Sequence, residues 1–206
     1  MNRFEGSPDY RRNPSYLGVV GQSITGRIIL INVIVSFLGF ILFAIFSNSL
    51  DYLALKPTSI LQGKYIWTLF THMFLHGGLF HLVINMFVLF SLGGLSEKII
   101  GRRRFLIFYL VSGLFAGILS VIVTGLLGTG ALAKIVGSPD VYMVGASGAI
   151  FAIAGLFAVL LPRLRFSIIF MPFFSLPGYI MIPLVLFLTW FASAAANLPI
   201  GNVAHF

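Results

Sequence analysis

The chain has 206 residues, of which 59% are hydrophobic and only 9% charged, with a mean hydropathy of +1.04 and a net charge of +8. This profile excludes an ordinary soluble core and predicts an all-α, polytopic helical membrane protein. It contains no cysteine, so disulfides, thiolate metal sites and cysteine nucleophiles are excluded too.

Residues 1–23 hold Arg3, Arg11 and Arg12 among Pro and Gly and read as a cytoplasmic polar tail. The tail lacks the basic-then-apolar layout of a signal peptide. The first apolar run, about 27–46, is long enough to cross roughly 30 Å of hydrocarbon as a helix. Residues 48–76 are too polar to span but rich in Leu, Tyr, Phe and Trp67, which predicts a loop half-sunk in the interface. A second span covers about 79–95 and is followed by a basic turn from Lys98 to Arg104. A third covers about 105–127 and, after a loop at 128–142, a fourth covers about 143–161. A second basic turn, Pro162 to Arg165, precedes a proline-punctuated region and a fifth span at about 178–196. Whether 166–174 lies in the inner interface or extends the fifth span stays open. A sixth span starts at about 202.

Charge sets the orientation. With the N-terminus in the cytoplasm, the inner segments hold ten cations: Arg3, Arg11, Arg12, Arg27, Lys98, Arg102, Arg103, Arg104, Arg163 and Arg165. The outer segments hold only Lys56, Lys64 and Lys134. The basic residues therefore read as topology signals and anionic-lipid contacts, not as a nucleic-acid surface. In this orientation His72, His76, His81, Ser147 and His205 all fall toward the outer face.

The segment from Val144 to Phe151 places Ser147 between Gly145 and Gly148 at the start of a charge-free run. A serine among small residues is either a helix-packing seam or a nucleophile. His81 and Asn85 are four apart and share a helix face, where they serve as interhelical hydrogen-bonding groups or line a wet cavity. A nucleophilic serine needs a base, and His205 lies at similar depth. No carboxylate is placed to orient that histidine, so the arrangement would be a Ser-His dyad. Asn85, His81 and amides at the start of the fourth span are the available oxyanion donors.

On these residues the chain resembles the rhomboid intramembrane serine proteases. The resemblance rests on His76-x4-His81-x3-Asn85 followed by Gly93-x3-Glu97-x3-Gly101, on Gly145-Ala-Ser147-Gly148 with Gly155 eight residues after the serine, and on Gly201-x3-His205. It implies a six-helix bundle over residues 24–206, with Ser147 as nucleophile, His205 as general base, and His81 and Asn85 as oxyanion donors. Gly145, Gly148 and Phe151 would play supporting roles. It also implies substrates that are single-span membrane proteins cut near the outer face, with no metal and no cofactor. The expected setting is a prokaryotic plasma membrane.

Three departures stand out. Phe151 replaces a Tyr found in many members, Trp67-Thr68 replaces a Trp-Arg pair, and the chain ends one residue after His205. The sixth span is therefore expected to be incomplete in this chain, and its histidine poorly held. Competing readings are a catalytically inactive rhomboid-like protein that binds transmembrane clients, a metal site built on His72, His76 and His81, and a small transporter. No H-E-x-x-H pattern supports the metal site, and no internal repeat supports the transporter. The sequence does not give the oligomeric state.

Overall fold

A computed structural model describes residues 23–46, 48–163, 165–168 and 171–184. The expected tail at 1–22, most of the fifth span, and the sixth span with His205 lie outside the described residues. Four apolar helices form the body: α1 (Ile24–Ile45), α2 (Leu79–Ile100), α3 (Arg102–Leu127) and the shorter α4 (Ser147–Leu160). The first three are long and apolar enough to cross a bilayer. A helical segment over 178–184 follows.

The helices are apolar outside and small or polar inside. On α1 the buried residues are Thr25, Gly26, Ile28, Asn32, Ser36 and Gly39, one face of a helix. Leu30, Ile34, Phe37, Leu38 and Ile41 point outward and are about half exposed. The buried face of α3 runs through Phe105, Tyr109, Gly113, Gly117, Ser120 and Thr124. This inversion is expected where lipid is as apolar as leucine and helices associate through close packing and hydrogen bonds.

One carboxylate ties the inner ends together. Glu97 accepts hydrogen bonds from the backbone amides of Ile24 (2.9 Å) and Thr25 (2.8 Å) and from the Thr25 hydroxyl (2.8 Å). These amides belong to the first turn of α1, which has no intrahelical partners for them and carries the positive end of the helix dipole. Arg102, at the start of α3, stands 3.5 Å from the same carboxylate. Gly101 links α2 to α3 alone at φ +86°, a conformation open to glycine and strained for other residues. Midway along α2, Leu89–Gly93 forms a π-helical turn. There Gly93 lets Thr25 and Phe105 approach closely.

The loop after α1 is a folded unit of short helical turns. Trp67 donates its indole N–H to the carbonyl of Tyr52 (2.8 Å), and Tyr65 packs edge-on against both rings. Leu55 and Met143 exchange backbone hydrogen bonds at 3.0 and 2.7 Å, pinning this loop to the segment that leads into α4. Met73 and His72 fill the space left by Gly113 and Gly117 on α3.

One sequence expectation changes, and one open region takes a definite form. The helix of the fourth span runs from Ser147 to Leu160 rather than over 143–161, because Met143 is held extended against Leu55. The region at 165–177 is an antiparallel hairpin of β1 (Arg165–Ile168) and β2 (Met171–Pro177), with Arg165 opposite Pro177 and Ser167 opposite Ser175. Pro172 and Pro177 disfavour a helix there, and the Arg165 guanidinium donates to Ser175 Oγ (3.1 Å) and to its carbonyl (2.8 Å).

Glu97→Gln keeps the shape but weakens every bond at the α1 terminus. It is expected to cost about 1–3 kcal/mol, measured as a lowered midpoint of thermal unfolding in detergent micelles.

Candidate functional site

Ser147 is the first residue of α4, after Ala146 in the cap position. The first helix-closing hydrogen bond runs from the Ile150 amide to the Ala146 carbonyl (3.0 Å), so the Gly148 and Ala149 amides come before any intrahelical partner. Fourteen residues of helix span roughly 21 Å, about 9 Å short of a typical hydrocarbon core. Ser147 is 7% exposed.

The turn before the serine brings α2 in. Gly145 has φ +130°, and its amide donates to the His72 carbonyl at 3.0 Å. A side chain on Gly145 would start 2.9 Å from His81 Cε1, 3.1 Å from His81 Nε2 and 3.6 Å from Asn85 Nδ2. The His81 ring and the Asn85 amide therefore lie directly on the backbone that leads into Ser147. Asn85 is 7% exposed, and its Nδ2 has no hydrogen-bond partner among the described residues. A buried, unpaired amide costs free energy and is expected to have a use.

A cavity of about 280 Å³ adjoins this group. Asn85, Ile84 and Val88 line it from α2, Ser147 and Phe151 from α4, and Met181 and Ile182 from the following segment. Apart from the serine and the asparagine its walls are apolar. Of the expected site residues, Ser147, His81, Asn85, Gly145 and Phe151 are thus gathered toward the N-terminal ends of α2 and α4. Gly148 occupies the first turn of α4, one residue after Ser147. His205 lies outside the described residues.

Sequence reasoning missed the support behind His81. His76, fully buried, packs edge-on against His81 with ring centroids 5.1 Å apart. Its Nδ1 hydrogen-bonds Ser36 Oγ on α1 at 2.9 Å, and Ser36 donates to the Phe74 carbonyl at 3.2 Å. The Ser36 hydroxyl thus bridges the His76 ring and the Phe74 carbonyl, and the direction of the bond to His76 follows the ring's tautomer. His72 Nδ1 meets the Thr68 carbonyl at 2.9 Å. Burial pushes the His76 pKa down to about 3, helped by the neighbouring His81, and that of His72 down to about 4. The two rings have separate partners, and among the described residues no three His, Asp or Glu side chains gather as metal ligands.

Helices that are apolar outside, with a polar site recessed at one end, define an integral membrane protein with several spans. A family model of the rhomboid domain matches residues 63–206, and the chain belongs to the rhomboid family. It is 38% identical over 102 residues to the rhomboid protease GluP of Bacillus subtilis (strain 168), covering 50% of this chain and 17% of that one. It is 40% identical over 77 residues to the RHOMBOID-like protein 6, mitochondrial, of Arabidopsis thaliana, covering 37% and 25%. It is 32% identical over 102 residues to the presenilin-associated rhomboid-like protein, mitochondrial, of Homo sapiens, covering 50% and 24%. The matched stretch is thus a quarter or less of the length of each of these relatives.

Two tests follow from the geometry. Gly145→Ala places a methyl group against His81 at an unfavourable φ and is expected to destabilise the protein by about 1–3 kcal/mol, read by thermal unfolding. His72 and His76 are neutral when folded and protonate readily once unfolded. Their contribution to stability is therefore complete above about pH 6.5 and declines as the pH falls toward 4, by up to about 1.4 kcal/mol per pH unit for each ring. Unfolding midpoints between pH 8 and 4 are expected to drop steeply below pH 6.5, and His76→Asn is expected to flatten that drop.

Proposed function

We propose that this chain is an intramembrane serine endopeptidase that cuts transmembrane segments of single-span membrane proteins. The observation that carries the reading is the recessed Ser147 sharing a cavity with the unpaired Asn85 amide, beside His81 on Gly145. A packing serine has no need of an idle donor at this depth, whereas a nucleophile needs one where an oxyanion forms. The relatives named rhomboid protease in Bacillus subtilis support the same chemistry.

In this mechanism a substrate helix unwinds at the outer face, where water and protein satisfy its backbone. His205 takes the proton of Ser147, and Ser147 Oγ attacks the scissile carbonyl. The oxyanion is held by Asn85 Nδ2, His81 and amides of the first turn of α4. His205 then protonates the leaving amine, and the acyl-enzyme is hydrolysed by water that His205 activates. His76 and Ser36 act at one remove by keeping the His81 ring in place. Phe151 and the apolar cavity walls receive a substrate side chain. The excess of cations in the segments read as inner, ten against three, supports a cytoplasmic N-terminus and this chemistry at the outer face. The bacterial relatives accord with a prokaryotic plasma membrane.

A fluorophosphonate serine probe tests the reading, with the protein in detergent and in liposomes. Labelling is expected, with complete loss in Ser147→Ala and a rate lower by roughly 10- to 1000-fold in Asn85→Ala. A folded protein that labels equally with and without Ser147, or not at all, would leave the inactive client-binding reading in its place.

A further inference from the structure

A second cavity lies at the opposite end of α2 from His81 and Asn85. Its volume is about 600 Å³, within the range of small-molecule pockets. The start of α1, the inner half of α2 and the start of α3 enclose it. Its lining is graded. At the rim stand Lys98 and Arg102, both exposed, with Arg103 and Arg104 following in sequence. Deeper along α2 come Gly94 and Ser91, with exposed Phe90 and Leu95 beside them. Seven residues separate Ser91 from Lys98, roughly 10 Å of helix. The cavity therefore begins in the charged belt and ends among side chains at hydrocarbon depth.

Glu97 also lines this space, but its charge is already engaged by the α1 amides, the Thr25 hydroxyl and Arg102. Lys98 has no ion pair among the described residues. The rim thus offers uncompensated positive charge, and the floor offers apolar surface with one hydroxyl. A molecule that suits both ends is an amphiphile with an anionic head, and the bilayer itself supplies one. We propose that this cavity holds the headgroup and upper acyl chain of an anionic phospholipid from the leaflet on the Lys98 side. The bound lipid would contact α1, α2 and α3 together, next to the carboxylate that joins them. The proposal does not depend on catalysis by Ser147.

The test is native mass spectrometry of the full chain in mild detergent, with equal amounts of dioleoylphosphatidylglycerol and dioleoylphosphatidylcholine. Preferential retention of one phosphatidylglycerol is expected. Lys98→Gln is expected to weaken it roughly fivefold, the value of one cation near an anionic headgroup. A side chain at Gly94 meets no protein atom within 4 Å, so Gly94→Leu is expected to fill the cavity and remove the bound lipid. The unfolding midpoint and circular dichroism report whether that variant folds, and Ser91→Leu serves as the second filler. Millimolar glycerol phosphate is expected not to displace the lipid. Equal retention of both lipids, or a phosphatidylglycerol adduct unmoved by the folded filled variants, would overturn the proposal in favour of diffuse attraction to Arg103 and Arg104. Displacement by glycerol phosphate would overturn it in favour of a site for soluble phosphate esters.

Discussion

The Ser147 end of the molecule depends on Gly145 having no side chain. Its backbone turns at φ +130° with the His81 ring against it and the Asn85 amide close by. Its amide is also tied to the His72 carbonyl. One residue thus holds the loop after α1, the polar face of α2 and the first turn of α4 in contact. A methyl group there would separate all three. The neighbouring Leu55–Met143 pair keeps the approach to Ser147 extended, so α4 begins only at Ser147.

The exterior is apolar and the interior combines a hydrophobic core with buried polar and small residues, so apolar burial alone does not distinguish inside from outside. Lipid gives little reward for burying leucine, and specificity comes from close contacts and satisfied hydrogen bonds. The glycines of α3 admit Met73 and His72, and Ser36 on α1 holds His76. Asn85 Nδ2 is one of several buried polar atoms without a partner among the described residues, and it lies beside a cavity that Ser147 also lines. The scaffold around it is well tied, and the unpaired donor sits where chemistry is proposed.

Much of this was legible in sequence. Hydropathy alone located the long helices, because a run that must cross lipid is written in composition. The spacing of His81 and Asn85 put them on one face, and the small residues around Ser147 marked a place of close approach. What was not legible depends on pairings distant in sequence. Met143 to Gly145 are as apolar as the helix that follows, so nothing local separates an extended strand bonded to Leu55 from another helical turn. The role of His76 depends on Ser36, forty positions earlier. The prolines at 172 and 177 punctuate the region without settling its conformation, and nothing local revealed that Arg165 faces Pro177 across a hairpin.

The Glu97 cap has a mechanical side. A carboxylate near the end of α2 that grips the first amides of α1 sets the depth of one helix against the other to within a hydrogen-bond length. Neither helix can slide like a piston without losing those bonds. In a bilayer thicker or thinner than the protein, the mismatch cannot be absorbed by a change of register between α1 and α2. It passes instead to tilt of the whole bundle and to deformation of the surrounding lipid, at fractions of a kcal/mol per Å. The bundle behaves as a rigid wedge to which the membrane must adapt, and the recess above Ser147 keeps its depth relative to the protein rather than to the lipid.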